Sequence, residues 1–425
     1  MKKILNRLPI KSEFVKNAIT LTLGTSIAQA FPLLLYPILA RIFSPADFGL
    51  LTTLTSITSI LVVLATGKYE SCILIADSKN DAANIVGLTL LLSFIFLFIS
   101  FIILQLFSYK FGIWLNATDL KMWLFVCPIS AFVIIIFNCY NEWCVRNKYF
   151  VSLSWNKITN SAATTLSKLL FGFVKVVSNG LIIGDLIGRI ISAGGCVFRA
   201  LQKDRFELFQ MSIMRMRYLA KRYYEFPKFS LPAQLLNTLG LTLPVLMIGA
   251  YFNSTEVGYY AMTMNVLTVP ISVISVAIRD VFRQRANEEY VRTGSCKKIY
   301  TRLLKILIFW GVLGLFILLF ALPGIFSIVL GIKWRIAGEY SQILLPMIAI
   351  DFVATSLSGV LIITERVKII LYWQTYYAGI TIISLLLGCV IFKDVKISLV
   401  CFSIGRSTAY LLEILLSYKY SKGNI

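Results

Sequence analysis

Twelve apolar runs of about 20 residues dominate the sequence, at approximately 17–40, 47–66, 82–107, 122–144, 151–174, 178–198, 229–251, 257–278, 303–330, 341–363, 369–391 and 397–417. A run of that length covers the hydrocarbon core of a bilayer when it is helical. The second and fifth, rich in Ser and Thr, depart furthest from the pattern. With 58% hydrophobic and 14% charged residues and a mean hydropathy of +0.80, an ordinary soluble protein is excluded. The expected fold is all-α and integral to the membrane, and an even number of spans puts both termini on one side.

The basic residues orient the chain, because Lys and Arg are retained on the cytoplasmic face. With a cytoplasmic N-terminus, 29 of the 41 Lys and Arg fall in inside segments and 8 in outside loops, while Lys157, Lys168, Arg189 and Arg406 lie within spans. A shift of one helix would destroy this bias. The expected location is a bacterial inner membrane with both termini cytoplasmic. The formal charge of +21 then reflects topology and affinity for anionic lipids, not nucleic-acid binding. The opening "MKKILNRLPIKSEF" is no signal peptide, because Pro9, Lys11 and Glu13 interrupt any apolar core. The eight cysteines form no Cys-x-x-Cys pair and read as packing residues, and histidine is absent. No metal or other cofactor is expected.

A repeat organises the spans. "RIFSPADFGLL" after the first and "AYFNSTEVGYY" after the seventh align Phe43, Asp47 and Gly49 with Phe252, Glu256 and Gly258, 209 positions apart. The tripeptide Ile-Gly-Arg recurs in the sixth and twelfth, ending at Arg189 and Arg406. Six helices separate equivalents, so two bundles of like orientation are expected, 1–200 and 227–425. The linker 201–226 and its flanks are strongly basic. Phe206, Phe209, Ile213 and Met216 share a helical face opposed to Arg215, Arg217, Lys221 and Arg222, the pattern of an interfacial helix.

Charges at bilayer depth cost about 2.5–3.5 kcal/mol each and mark interior or aqueous surfaces. Arg189 and Arg406 sit about 14 Å inside their spans, beyond easy snorkelling. Asp185 lies one turn before Arg189 and can pair with it; Arg406 has Glu413 only two turns away, which points Arg406 to a cavity. In the fifth span Ser154, Lys157, Ser161, Thr164 and Lys168 form one polar stripe. Hydroxyls alone would serve helix packing; two lysines in line point to a cavity wall. Gly180, Gly184 and Gly188 make a smooth packing face, and Pro32, Pro37, Pro232, Pro244 and Pro270 mark bends. Asp185, Glu142, Asp351 and Glu413 are candidate ion-coupling acids or structural partners. Nothing resembles a bond-making constellation, so the chain reads as no enzyme, with a basic interior suited to an anionic substrate.

The segments "KNAITLTLGTSIAQAFPLLLYPILARIFSPADFGLL" and "FPKFSLPAQLLNTLGLTLPVLMIGAYFNSTEVGYYAMTMNVLTVPISVISVAIRDVFRQRANE" resemble the polysaccharide repeat-unit (O-antigen) flippases of the multidrug/oligosaccharidyl-lipid/polysaccharide exporter superfamily. The resemblance implies a V-shaped pair of six-helix bundles around a cationic cavity. It implies alternating-access transfer of an undecaprenyl-diphosphate-linked oligosaccharide to the periplasmic leaflet, with a polysaccharide polymerase and chain-length machinery as partners. Arg41 matches an arginine typical of that family; Lys157, Lys168, Arg189 and Arg406 rest on the residues' own pattern. The competing expectations are a drug/cation antiporter of the same superfamily and a membrane-embedded polymerase or ligase. The first has cationic substrates against this basic interior, and the second is expected to carry a large outer loop.

Overall fold

The computed structural model describes residues 13–115, 119–174, 179–205, 211–364 and 366–423. Among them there is no strand, and twelve helices of at least 20 residues carry the architecture. These are α1 Glu13–Ile42, α2 Pro45–Thr66, α3 Lys79–Leu106, α4 Val126–Arg146, α5 Phe150–Val174, α6 Gly180–Lys203, α7 Leu231–Tyr251, α8 Ser254–Thr293, α9 Lys297–Val329, α10 Arg335–Leu357, α11 Val367–Leu386 and α12 Val395–Ser421. Eleven of the twelve regions are long and apolar enough to cross a membrane, so this is a multi-pass membrane protein.

The exception is α5, long enough at 25 residues but depleted of apolar side chains. Its polar face is sheltered because α5 packs between α1 and α6. Ser154 Oγ donates to the Thr20 carbonyl at 3.0 Å and Ser161 Oγ to the Ala28 carbonyl at 2.5 Å. The stripe expected to form a cavity wall is therefore largely an interhelical seam held by small hydroxyls. On the other side, Gly180, Gly184 and Gly188 of α6 meet α5 backbone. A Cβ at these positions would lie 2.8, 2.6 and 2.3 Å from backbone atoms of Phe171, Lys168 and Thr164.

The helices form two compact units: the chain up to Phe43 with Leu50–Thr238, and Ser44–Gly49 with the chain from Leu239. The repeated motif accounts for the short excursion of Ser44–Gly49. Asp47 Oδ2 accepts from the Ser44 N–H at 2.8 Å while Ser44 Oγ accepts from the Asp47 N–H at 3.3 Å, a reciprocal cap on α2. Asn253 caps α8 one way only, accepting from the Glu256 N–H at 3.0 Å, while the Glu256 carboxylate accepts from the Tyr340 hydroxyl. Two residues on, Gly49 and Gly258 permit a backbone crossing. A Cβ on Gly49 would lie 1.7 Å from the Ser254 carbonyl oxygen, and one on Gly258 1.8 Å from that of Pro45. Pro45 and Ser254 are themselves 209 apart, so the crossing is reciprocal and the repeated glycines are a contact.

The first unit runs on to Thr238 because the linker docks on it. The helix Ile213–Arg222 buries Leu219 and packs Met216 and Ala220, with Tyr223 beyond its end, on the first unit's core. Arg215 grips Asp81 through two bonds of 2.6 and 3.0 Å, and Arg222 pairs with Asp77 at 2.5 Å. Gly87 leaves room for Met216, whose Cε would be 2.4 Å from a Cβ there. Ile213, expected on the apolar face of an interfacial helix, is 66% exposed, while Leu219 and Tyr223 are buried against the unit. Phe206 and Phe209 lie outside the described residues, as do Lys2, Lys3, Arg7, Lys11, Lys175 and both chain ends. All eight cysteines are free thiols, seven of them buried. Burial, with Glu70 beside it, pushes the Cys72 thiol up to about 12, and burial pushes that of Cys296 to about 11, which suits packing rather than chemistry.

Candidate functional site

In the first unit the intramembrane charges converge on one carboxylate. Asp185 on α6 is 5% exposed; its Oδ2 accepts from Arg189 Nε at 2.6 Å and its Oδ1 from Lys168 Nζ, on α5, at 2.7 Å. The i, i+4 spacing within α6 brings Arg189 to Asp185, and the glycine face of α6 draws α5 close enough to add Lys168. One negative charge thus holds two cations, leaving the cluster net positive. The Lys168 and Arg189 side chains are 19% and 24% exposed, so both reach an accessible surface.

Lys157 stands about 16 Å further along the α5 axis, taking 1.5 Å per residue. Its Nζ donates to Thr25 Oγ1 of α1 at 3.0 Å, and it has no carboxylate partner among the described contacts. At the same level the structure adds residues that the sequence reading passed over. Arg199 Nη2 donates to Asn156 Oδ1 at 2.6 Å, and Asn156, fully buried, donates Nδ2 to Asn141 Oδ1 at 3.0 Å. Arg199 is counted as a loop cation in the sequence because it follows the apolar run. Asn141 and Asn156 inside apolar runs were the available signal. The α5–α6 seam therefore carries Lys168, Arg189 and Arg199 against Asp185, with Lys157 on the α1 side of α5.

Arg41 is exposed in the last turn of α1. Glu142 is half-buried on α4, within electrostatic reach of the Lys68–Glu70 ion pair, itself 3.2 Å long.

Arg406 occupies a different setting from the one expected. It is 3% exposed inside the second unit. Its Nη2 donates to the Gly240 carbonyl of α7 at 2.7 Å and its Nε to Thr381 Oγ1 of α11 at 3.4 Å. The rings of Tyr377 and Phe402 flank the guanidinium at 4.7 and 4.8 Å, a cation–π sandwich. Asp351, which accepts from Thr355 at 2.8 Å, acts on Arg406 through space, and Glu413 is an electrostatic neighbour of Asp351. The two Ile-Gly-Arg arginines thus share a sequence motif but not an environment: one shares a carboxylate at a partly open seam, the other caps backbone in a closed interior.

Chemically, the seam attracts anions. Among the described residues no group of three or more Cys, Asp or Glu could hold a metal ion.

Comparison with known proteins adds family and fold. The profile of a family described as "Polysaccharide biosynthesis protein" matches residues 38–338. The chain is similar to the teichuronic acid biosynthesis protein TuaB of Bacillus subtilis (strain 168), 24% identical over 216 residues; the match spans 46% of this chain and 42% of that relative's length. Among solved structures, the lipid II flippase MurJ in an inward closed conformation superposes with a TM-score of 0.73 at 12% identity, over 95% of this chain and 87% of that one. An inward-facing multidrug resistance MATE family transporter of the MOP superfamily gives 0.67 at 14% identity, over 93% and 92%. A Vibrio cholerae MATE transporter gives 0.60 at 12% identity, over 95% and 96%. At these identities the likeness is one of fold.

Proposed function

Because the chain belongs to the polysaccharide biosynthesis protein family, we propose that it is a flippase carrying an undecaprenyl-diphosphate-linked oligosaccharide from the cytoplasmic to the outer leaflet of a bacterial inner membrane. The observation that carries this reading is the cluster in which Asp185 alone answers Lys168 and Arg189. A diphosphate supplies the missing negative charge, and the planar fork of Arg189 can engage it through paired hydrogen bonds. Lys157 and Arg199 extend the basic seam for acidic sugars or for successive positions of the head group. Several moderate contacts favour passage over trapping, since a carrier must release what it binds. The polyprenyl chain stays in lipid, and Asp351 and Glu413 are the acids assigned to ion coupling. The linker helix rests on anionic lipid through Arg217 and Lys221, beside the exposed Ile213, Met214 and Tyr218.

The test is genetic. Deletion is expected to abolish the cognate surface polysaccharide and to trap lipid-linked oligosaccharide inside. Complementation by the Lys157→Gln/Arg189→Gln variant, at equal membrane abundance, is expected to restore less than about a tenth of the polysaccharide. Unchanged polysaccharide with new drug sensitivity in the deletion strain would instead identify a drug/cation antiporter.

A further inference from the structure

Three polar side chains, two of them buried, stand in one relation to prolines. A proline within a helix lacks the N–H that would bond the carbonyl four residues earlier, and in lipid no water replaces it. Pro32 in α1 strips Ala28, and Ser161 of α5 donates to that oxygen at 2.5 Å. Pro323 in α9 strips Leu319, and Gln342 of α10 donates its Nε2 there, also at 2.5 Å. Pro244 in α7 strips Gly240, and it is the Gly240 oxygen that Arg406 Nη2 meets at 2.7 Å. In each case a donor from another helix of the same unit reaches the carbonyl its proline freed.

The Arg406 case is the most constrained. Tyr377 and Phe402 fix the plane of the guanidinium, Thr381 takes Nε, and Gly240 has no side chain to obstruct the approach. A carbonyl with a cationic donor is a charge-assisted bond, stronger than the backbone bond it replaces. The same box leaves Arg406 3% exposed, with Nε and Nη2 already engaged inside the unit.

We propose that Arg406 is a positioning residue that holds the proline break of α7 against α11 and α12 by supplying Gly240 with the hydrogen bond that Pro244 removes, rather than a ligand of the head group. The relation is internal to the second unit and does not depend on the flippase reading.

A double-mutant cycle tests it on the full chain in lipid nanodiscs, reading thermal midpoint and affinity for undecaprenyl diphosphate. Arg406→Gln is expected to lower the midpoint by about 5 °C or more. In Pro244→Ala/Arg406→Gln, residue 244 regains an N–H for Gly240, and at least about half of that loss should disappear, the coupling expected of residues sharing one bond. Affinity for undecaprenyl diphosphate in Arg406→Gln should stay within about twofold of wild type. Additive losses in the double variant would overturn the proposal, as would a fall in affinity of about tenfold that Pro244→Ala does not restore. If Arg406→Gln alone is too unstable to purify, recovery of a purifiable double variant supports the proposal and its failure to fold overturns it. A wild-type protein that binds no undecaprenyl diphosphate would count against the flippase reading, while the thermal coupling would still decide the role of Arg406.

Discussion

Asp185→Ala is expected to be the most damaging single charge change in the chain, more so than Arg189→Ala. Removing the carboxylate leaves Lys168 and Arg189 facing each other in the membrane with no counter-charge, whereas removing Arg189 leaves Asp185 still paired with Lys168 at 2.7 Å. Breaking a buried ion pair by deleting one partner costs about 3–5 kcal/mol, because a charge is stranded in low dielectric. Membrane-inserted protein, measured by quantitative blotting and by detergent-extracted monodispersity, should fall sharply for Asp185→Ala and only modestly for Arg189→Ala. Equal behaviour of the two would mean that the three charges do not form one unit.

A comparably large loss is expected from Gly188→Leu. The Cβ alone would sit 2.3 Å from the Thr164 Cα, on backbone that cannot swing aside, so α5 and α6 must separate and the Lys168–Asp185 contact must lengthen. Overpacking costs about 1–3 kcal/mol where side chains can yield, and more where they cannot. The control is Gly194 on the same helix, which has nothing within 4 Å of a built Cβ. Gly194→Leu should leave the thermal midpoint unchanged or raise it, since a glycine in a helix interior costs about 1 kcal/mol relative to Ala. Matching losses at 188 and 194 would refute the seam as the source of the effect.

These residues also show which parts of the structure the sequence made legible. Helix number follows from apolar length, and the matched contacts of Gly49 and Gly258 from an exact spacing, which are local properties. The i, i+4 pair Asp185–Arg189 and the glycine face of α6 are legible for the same reason. Lys168 as a second partner of Asp185 depends on which face of α5 meets α6, and periodicity gives a face without saying what it touches. The sequence reading of α5 weighed a cavity wall against hydroxyl packing. The seam contacts of Ser154 and Ser161 make it chiefly the latter, with the lysines at its partly open edges. Arg406 lacks a nearby acid in sequence, and a partner among the charges is what its spacing suggests. The partner is a neutral carbonyl freed by a proline 162 positions earlier, a pairing that only the reach of Arg406 to α7 in the folded unit brings about. The docking of the linker helix through Asp77 and Asp81 likewise depends on packing that its apolar pattern does not give.

On the proposed function, the positive excess on the α5–α6 seam carries an anionic lipid head group. It is tested most directly by transport in proteoliposomes loaded with a fluorescent undecaprenyl-diphosphate-linked saccharide, with accessibility of the sugar to an external reagent as the readout. The informative variant is Asp185→Asn/Arg189→Gln with Lys168→Gln, which removes all three charges together and leaves no stranded ion. We predict that this protein, reconstituted at wild-type density, moves the lipid at least about tenfold more slowly than wild type. A neutralised variant that transports at the wild-type rate would contradict the account and reduce the Lys168–Asp185–Arg189 cluster to a structural clasp.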